Sequence, residues 1–245
     1  MNINLEGKRI WLTGSARGLG LETAKLLIDK NATVFFGSRR DCEYYNKNDY
    51  FPPYFLSEKS AHYISCDVTN KKDVEKAYEN ICHIAGGVDV LINNAGIVCT
   101  SKAAKQSAES FEEMIKTNLY GPMYCFQTVL PGMLANKFGA IINIGSVTAE
   151  TAFKNVGAYA ATKAALSAFF RSAREELRNE HIKIVNINPG AMNTEIWDET
   201  VREAKGKLML SPKNTAKAIA AVVELCFAGE LLVEDMTLRP ITGDL

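Results

Sequence analysis

Short apolar runs, each long enough for one buried strand, alternate along the chain with longer segments whose apolar residues recur at helical spacing. The strand-like runs lie at residues 9–13, 33–38, 62–65, 88–93, 140–145, 182–188 and 236–239. The helical stretches lie near residues 18–30, 70–84, 108–136, 156–180 and 212–227. This alternation predicts an α/β fold with a doubly wound parallel sheet of about seven strands and helices on both faces.

A glycine-rich turn follows the first predicted strand and opens the first predicted helix. Residues 13–20 read Thr-Gly-Ser-Ala-Arg-Gly-Leu-Gly. Glycines let the backbone approach a pyrophosphate closely, and the free N–H groups of a helix N-terminus favour its negative charge. The alternative is an ordinary flexible turn. The contacts expected with a dinucleotide are Gly14, Ser15, Arg17, Gly18, Leu19 and Gly20.

The end of the second strand indicates which dinucleotide is bound. An acidic residue at this point would accept hydrogen bonds from a ribose 2′-hydroxyl, but this chain has Ser38, Arg39 and Arg40 there. Guanidinium groups suit phosphate oxygens, so Ser38, Arg39 and Arg17 favour NADP(H) over NAD(H). Arg39 is the expected phosphate contact and Arg40 a bystander. Alternatively, these arginines are solvated surface charges.

Length and composition fit one enzyme domain covering residues 1–245. Of the 245 residues, 47% are hydrophobic, enough for a large core. The 28 basic and 28 acidic residues balance, which disfavours nucleic acid and anionic membranes as partners. Without an apolar leader or membrane-length run, the expected location is cytoplasmic. The six cysteines lack metal-binding spacing, so we expect them to be reduced and expect no metal site.

Tyr159 and Lys163 are four residues apart and therefore share one face of a predicted helix. An ammonium about 4 Å from a phenol can lower its pKa by up to about three units, so Tyr159 is expected to exchange protons near neutrality. Ser146, at a strand end, is expected to hydrogen-bond the reacting oxygen. Asn118, on the preceding helix, is suited to hold a water that joins Lys163 to solvent.

These motifs together resemble the short-chain dehydrogenase/reductase family, in its single-domain branch, over nearly the whole chain. The ordered set is the glycine turn, the run Asn-Asn-Ala-Gly at residues 93–96, Asn118, Ser146, and Tyr159 with Lys163. The resemblance implies a Rossmann-type fold, a catalytic tetrad of Asn118, Ser146, Tyr159 and Lys163, and a homodimer or homotetramer. Further cofactor contacts are expected at Asp67, Val68, Asn94, Ala95, Gly96, Tyr159, Lys163, Pro189, Gly190 and Thr194.

The predicted function is NADP(H)-dependent interconversion of a small carbonyl compound and a secondary alcohol by hydride transfer, with Tyr159 as general acid and base. Substrate contacts are expected from Val147, Thr148, Met192 and Trp197, although plain loop packing is the alternative for Met192 and Trp197. A catalytically silent NADP(H)-binding sensor or scaffold would share the fold, and an isomerase or dehydratase could use the same tetrad. A hydrolase using Ser146 is disfavoured because the chain lacks the Gly-x-Ser-x-Gly elbow and a recognisable histidine base.

One segment departs from the alternating pattern. Residues 42–59 contain six aromatic residues around Pro52-Pro53, and helical periodicity fails there. This segment is either an irregular loop packed on its own sheet, or a partner surface or lid over the adenine end. We also expect low regular order at residues 98–107 and 192–210.

Overall fold

The computed structural model describes residues 4–40 and 60–244. Seven strands form one parallel sheet in the order β3-β2-β1-β4-β5-β6-β7. Their bounds are Arg9–Leu12 (β1), Thr33–Phe36 (β2), Ala61–Tyr63 (β3), Val90–Asn93 (β4), Gly139–Ile144 (β5), Ile182–Pro189 (β6) and Asp235–Leu238 (β7). The predicted α/β fold with a doubly wound parallel sheet is confirmed.

Helices connect the strands and cover both faces of the sheet. Within the described residues they are Gly18–Asp29 (α1), Lys71–Ala85 (α2), Ala108–Ile115 (α3), Gly121–Ala135 (α4), Gly157–Leu177 (α5), Glu199–Lys205 (α6) and Pro212–Cys226 (α7). Capping residues in the sequence determine where some of these helices begin and end. The Asn70 side chain caps α2 by accepting from the Lys72 N–H, and Gly86 ends that helix in the left-handed conformation.

Two apolar cores lie on opposite faces of the sheet because side chains alternate along each strand. In β1, Ile10 and Leu12 pack in the core that also holds α1 and α7. Trp11, between them, packs on the other face with residues of α2, α4 and α5. The sheet is therefore buried on both sides, which explains why its strands read as continuous apolar runs.

The strand order reverses between β1 and β4, which are hydrogen-bonded neighbours although β2 and β3 lie between them in the chain. In parallel sheets of this type, ligands bind beyond the carboxyl ends of the strands near such a reversal. The residues that follow β1, β2, β4, β5 and β6 therefore meet at one edge.

The predicted helix at residues 108–136 is not continuous. It consists of α3, a π-helical turn at Lys116–Tyr120, and α4. A π turn inserts an extra residue into the helical repeat, and an apolar pattern of 3.6 residues does not report it. The turn carries Asn118, which is fully buried.

The expectation of low order at residues 192–210 is partly wrong, since α6 and a 3-10 turn at Gly206–Leu208 form there. The aromatic segment at residues 42–59 lies outside the described residues. Across residues 4–40 and 60–244, no helix combines the length and apolar character that a membrane span requires.

Candidate active site

A cleft of about 700 Å³ opens at the carboxyl edge of the sheet. Its walls are formed by the loops after β1, β2, β3, β4, β5 and β6, together with α5. The predicted site residues that line it are Gly14, Arg17, Gly18, Leu19, Gly20, Ser38, Arg39, Asp67, Val68, Asn94, Ala95, Gly96, Ser146, Val147, Thr148, Tyr159, Lys163, Pro189, Gly190, Met192, Thr194 and Trp197. Ser15 and Asn118 do not line the cleft.

The glycine turn packs directly against the loop after β4. A Cβ atom on Gly14 would lie 2.5 Å from the Cα atom of Ala95, and the φ angle of Gly14 is +62°. The Asn94 amide donates to the carbonyls of Thr13 and Gly14, at 3.0 and 2.7 Å. Only glycine fits position 14 without moving backbone. Asn94 therefore fixes the shape of the turn.

The N-terminus of α1 faces the cleft with unsatisfied donors. Arg17 precedes the helix in an extended conformation, with no side-chain capping hydrogen bond and no acidic residue in the first turn. The first backbone N–H groups of a helix have no intrahelical acceptors. This helix end therefore suits an anion such as a pyrophosphate.

Ser15 acts inside the turn, contrary to its predicted cofactor contact. Its side chain is fully buried, donates to the Leu12 carbonyl at 2.8 Å and accepts from the Gly37 N–H at 2.7 Å. The hydroxyl therefore links the glycine turn to the end of β2. The glycine-rich run at residues 13–20 gives no sign of this role in the sequence.

The loop after β2 holds two arginines at the rim of the cleft. The Tyr63 hydroxyl donates to the Arg40 carbonyl at 2.6 Å, and the Ser65 hydroxyl donates to the Arg39 carbonyl at 3.4 Å. The backbone of this loop is thus braced from the end of β3. No carboxylate of the described residues forms an ion pair with Arg17 or Arg39, and both side chains are exposed at the cleft.

Asp67 lies at the cleft wall after β3, with its carboxylate oriented by a neighbour. Its Oδ1 atom accepts from the Thr69 N–H at 3.0 Å and from the Thr69 hydroxyl at 2.8 Å. Thr69 also lines the cleft, and the sequence analysis missed it. The short Asp-x-Thr spacing, typical of a local side-chain turn, is the signal that could have found it.

Lys163 and Tyr159 both reach the cleft from α5. The Lys163 ammonium donates to the Ile144 carbonyl at 2.8 Å and lies 5.8 Å from the centre of the Tyr159 ring. Lys163 is 4% exposed, and burial lowers its pKa to about 8. A charge without an anionic partner is costly to bury, which is why the pKa falls, but at a pKa of about 8 the ammonium still predominates at pH 7.

The predicted lowering of the Tyr159 pKa does not occur in this structure. Burial raises the pKa of Tyr159 to about 12, and only the interaction with the Ser146 hydroxyl opposes that rise. The expectation assumed an ammonium directed at the phenol oxygen, whereas the Lys163 ammonium bonds the end of β5. At neutral pH, Tyr159 is therefore a proton donor here.

Ser146 precedes the 3-10 turn Val147–Ala149 and is 7% exposed. Its oxygen accepts two hydrogen bonds from one residue, at 3.2 Å from the Thr148 N–H and at 3.0 Å from the Thr148 hydroxyl. The two contacts fix the position of the Ser146 side chain beside Tyr159.

The side chain of Asn118 forms a closed set of hydrogen bonds. Its Oδ1 atom accepts from the Ile97 N–H at 2.9 Å, and its amide donates to the Ile97 carbonyl and the Thr162 hydroxyl, at 2.9 and 3.1 Å. Thr162 in turn donates to the Tyr159 carbonyl at 2.7 Å. Both amide protons are used, so Asn118 joins the loop after β4 to the helix that carries Tyr159.

The far end of the cleft contains groups that the sequence analysis did not select. They come from the chain after β6 and from its last described residues, and they are Ala191, Glu195, Ile196, Val201, Lys205, Met209 and Asp244. The tail reaches the cleft because the Gly190 N–H donates to the Leu238 carbonyl at 2.7 Å and Arg239 forms an ion pair with Asp244. Such long-range contacts leave no periodic signal in a sequence.

Among the described residues, no group of three or more His, Cys, Asp or Glu side chains is arranged to hold a metal ion. The cysteines described are free thiols. The site therefore consists of a helix N-terminus, a basic rim, and a serine, tyrosine and lysine cluster.

Comparison with known proteins identifies the class to which this fold and site belong. The family model for short chain dehydrogenases matches residues 8–205. The chain therefore belongs to the short-chain dehydrogenase/reductase family and is an oxidoreductase of that family, as its motifs predict.

Individual relatives agree with this assignment. The chain is 29% identical over 237 residues to an uncharacterized oxidoreductase of Staphylococcus haemolyticus, which covers 97% of this chain and 99% of that protein. It is 30% identical over 230 residues to an uncharacterized oxidoreductase of Staphylococcus aureus, covering 94% of this chain and 96% of that protein.

Solved structures share the fold over nearly the whole chain. The closed form of serine dehydrogenase complexed with NADP+ has a TM-score of 0.86 at 26% identity, covering 96% of both chains. ElxO with NADP bound has a TM-score of 0.85 at 24% identity, covering 95% of this chain and 97% of that one.

Proposed function

We propose that this protein is an NADP(H)-dependent oxidoreductase that interconverts a small carbonyl compound and a secondary alcohol, with Tyr159 as general acid and base. The observation that supports this most is the meeting of Ser146, Tyr159 and Lys163 in the same cleft as the open N-terminus of α1. One end of the cleft suits a dinucleotide and the other suits proton transfer, which are the two parts of a hydride-transfer site.

The residues present fit a nicotinamide dinucleotide phosphate. The close packing of Gly14 on Ala95 shapes the turn that leads into the α1 N-terminus, where backbone N–H groups would hold the pyrophosphate. The side chains of Thr194 and Glu195 lie 3.5 Å from the Cβ position of Gly18 at this helix end and border the same place. The guanidinium groups of Arg17 and Arg39 would hold a 2′-phosphate. NADP-bound relatives such as serine dehydrogenase are consistent with this choice. Bound NADPH supplies the hydride for reduction of the carbonyl carbon.

The chain's own groups supply the proton and orient the substrate. Tyr159, held protonated by burial, donates its proton to the carbonyl oxygen during reduction. The Ser146 hydroxyl donates a hydrogen bond to that oxygen and fixes the carbonyl group. Lys163 places a positive charge beneath the phenol, which stabilises the tyrosinate left after proton transfer. Asn118 keeps Tyr159 in place through Thr162.

The test follows NADPH and NADH absorbance with the purified protein against ketones, aldehydes and hydroxy acids. Hydroxy acids belong in the panel because serine dehydrogenase is among the structural relatives. Tyr159→Phe is the matched control, since it removes one oxygen atom and keeps the ring. We expect NADPH consumption that falls by at least about 100-fold in the variant, with unchanged NADPH binding.

Other outcomes separate the alternatives. NADPH binding without turnover of any panel member would favour a silent sensor or scaffold. Turnover without net NADPH consumption would indicate an isomerase or dehydratase. Turnover that survives in Tyr159→Phe would remove Tyr159 from its proposed role.

We also propose that the protein is a homodimer or homotetramer. Tyr120 is 43% exposed, and its ring lies 6.2 Å from that of Tyr124 on α4, so an aromatic surface is open to solvent in one chain. Exposed aromatic patches commonly form subunit contacts. Light scattering tests this, and a monomer at all concentrations would exclude it.

A further inference from the structure

The hydroxyl oxygen of Ser146 accepts two hydrogen bonds, one for each of its lone pairs. A serine hydroxyl has one donor proton and two lone pairs. The Thr148 N–H and the Thr148 hydroxyl both donate to Ser146 Oγ, at 3.2 and 3.0 Å. The one remaining capacity of the Ser146 hydroxyl is to donate its own proton.

The surroundings direct that proton into the cleft. Ser146 is 7% exposed and lines the cleft, and its hydroxyl interacts with the Tyr159 phenol, which lines the same cleft. A hydroxyl that accepts two hydrogen bonds is also polarised toward stronger donation, because chains of hydrogen bonds reinforce one another. Ser146 is therefore preset as a donor before any substrate arrives.

We propose that Thr148 is a positioning residue that fixes Ser146 as a hydrogen-bond donor to the reacting oxygen, rather than a substrate contact. This inference rests on the proposed oxidoreductase function and replaces the role that the sequence analysis gave to Thr148. The proposal also explains why Ser146 is not a nucleophile. Its lone pairs are already engaged, whereas a nucleophile needs one free to attack.

Three substitutions separate this role from substrate binding. Thr148→Val keeps the shape and the backbone N–H but removes the hydroxyl donor, and Thr148→Ser keeps the donor. Ser146→Ala removes the group on which Thr148 is proposed to act. We expect Thr148→Val to lower kcat about 10-fold with KM changed less than about 2-fold, and Thr148→Ser to stay within about 3-fold of wild type.

The double variant gives the decisive comparison. If Thr148 acts only through Ser146, Thr148→Val causes no further loss of kcat when Ser146 is already alanine. Additive losses in the double variant would overturn the proposal, as would a Thr148→Val variant in which KM rises and kcat stays constant. The NADPH dissociation constant of each variant, expected within about 2-fold of wild type, shows that the cleft is folded.

A measurement without turnover keeps the proposal testable if the oxidoreductase function fails. Neutron diffraction from deuterated crystals locates hydroxyl deuterium atoms directly, which X-ray data at ordinary resolution do not. The Ser146 deuterium is expected to point into the cleft and the Thr148 deuterium toward Ser146 Oγ. A Ser146 deuterium directed at the Thr148 oxygen would overturn the assignment, whatever the panel of substrates shows.

Discussion

The glycine edge (residues 13–20 and 94–96) and the 192–210 loop both border one cleft, and the loop reaches the Cβ position of Gly18 within 3.5 Å at Thr194 and Glu195, but the two regions are held in different ways. At the glycine edge, backbone meets backbone, with a Gly14 Cβ position only 2.5 Å from Ala95 Cα. In the 192–210 loop, Ile196 is 44% exposed and Leu208 is 47% exposed. The loop joins the rest of the molecule through few backbone bonds, such as the bond from the Leu210 N–H to the Ala191 carbonyl at 2.8 Å.

This difference separates a region that tolerates little change from one that can vary. Tight packing at the glycine edge tolerates almost no change, and it creates a site for a part common to all dinucleotides. The loosely held loop can change sequence without loss of the sheet, since loops on a rigid scaffold tolerate substitution. We infer that cofactor binding depends on the first region, with Thr194 at its border, and that substrate choice depends on residues 196–210 of the second. Three substitutions test that division, and a fourth tests the stability of the Tyr159 and Lys163 cluster between them.

The largest expected effect is at Gly14. Gly14→Ala combines a positive φ angle of +62° with overlap of the Ala95 backbone, so we expect a loss of about 2–5 kcal/mol in the free energy of unfolding and no measurable NADPH binding. Gly7→Ala is the matched control, because Gly7 has a φ angle of +72° and no atom within 4 Å of its Cβ position. Chemical denaturation measures the free energy of unfolding of both variants.

The Gly7→Ala control separates the free-energy cost of overlap with the Ala95 backbone from the cost of a positive φ angle. Gly7→Ala should cost only about 1–2 kcal/mol and leave NADPH binding intact. Equal losses at the two positions would mean that the contact between Gly14 and Ala95 contributes nothing beyond strain.

A smaller effect is expected at the basic rim, where Arg39→Ser should change cofactor choice and leave stability alone. Loss of charge-assisted hydrogen bonds to a phosphate costs about 1.5–3 kcal/mol, which corresponds to a fall of about 10–100-fold in kcat/KM for NADPH. The kcat/KM for NADH should change less than about 3-fold. Arg40→Ser, the neighbouring control, should leave the ratio of the two cofactors nearly unchanged. A larger effect at Arg40 would reverse the assignment of the phosphate contact.

The same contrast explains which features could be predicted from the sequence. Strand periodicity and the glycine turn are local patterns, so the fold and the positions of Gly14, Tyr159 and Lys163 followed from them. The π turn around Asn118 left no trace because its extra residue is accommodated within a helical pattern. Ser15 lies in the right motif, but its hydroxyl turns inward to bond Leu12 and Gly37.

The electrostatic environment of the site was the property that the sequence predicted least well. The spacing of Tyr159 and Lys163 predicts proximity, but the sign of a pKa shift depends on what surrounds both groups. Here the Ile144 carbonyl accepts a hydrogen bond from the Lys163 ammonium, and burial has the largest effect on the pKa of Tyr159. The wall formed by Asp244 depends on contacts across the sheet edge, which no local pattern encodes.

A substitution at Lys163 tests whether the proposed catalytic cluster reduces stability. Its pKa is lowered to about 8 from an ordinary 10.5, so the buried charge destabilises the folded state fully below pH 8, and that penalty disappears as pH rises toward 10.5. Lys163→Met should therefore abolish turnover yet raise the free energy of unfolding by about 1–3 kcal/mol at pH 7. The gain over wild type should shrink between pH 8 and 10.5 in denaturation curves measured across that range.

Lys154→Met provides the control for the Lys163 substitution, because Lys154 lines the same cleft but is exposed. Its stability should stay within about 0.5 kcal/mol of wild type at each pH. A Lys163→Met variant less stable than wild type at pH 7 would show that the bond to the Ile144 carbonyl outweighs the cost of burying the charge.

The smallest effect on stability is expected in the 192–210 loop, where Ile196→Ser removes an exposed apolar side chain that borders the cleft. Because little area is buried, the free energy of unfolding should change by less than about 0.5 kcal/mol. The substrate KM should nevertheless rise about 2–10-fold, since about 1 kcal/mol of apolar contact with the substrate would be lost. Leu231→Ser, at a residue 51% exposed and outside the cleft lining, should alter neither quantity. If Ile196→Ser instead weakened NADPH binding and left the substrate KM unchanged, Ile196 would belong to the cofactor site, and the division between the two regions would fail.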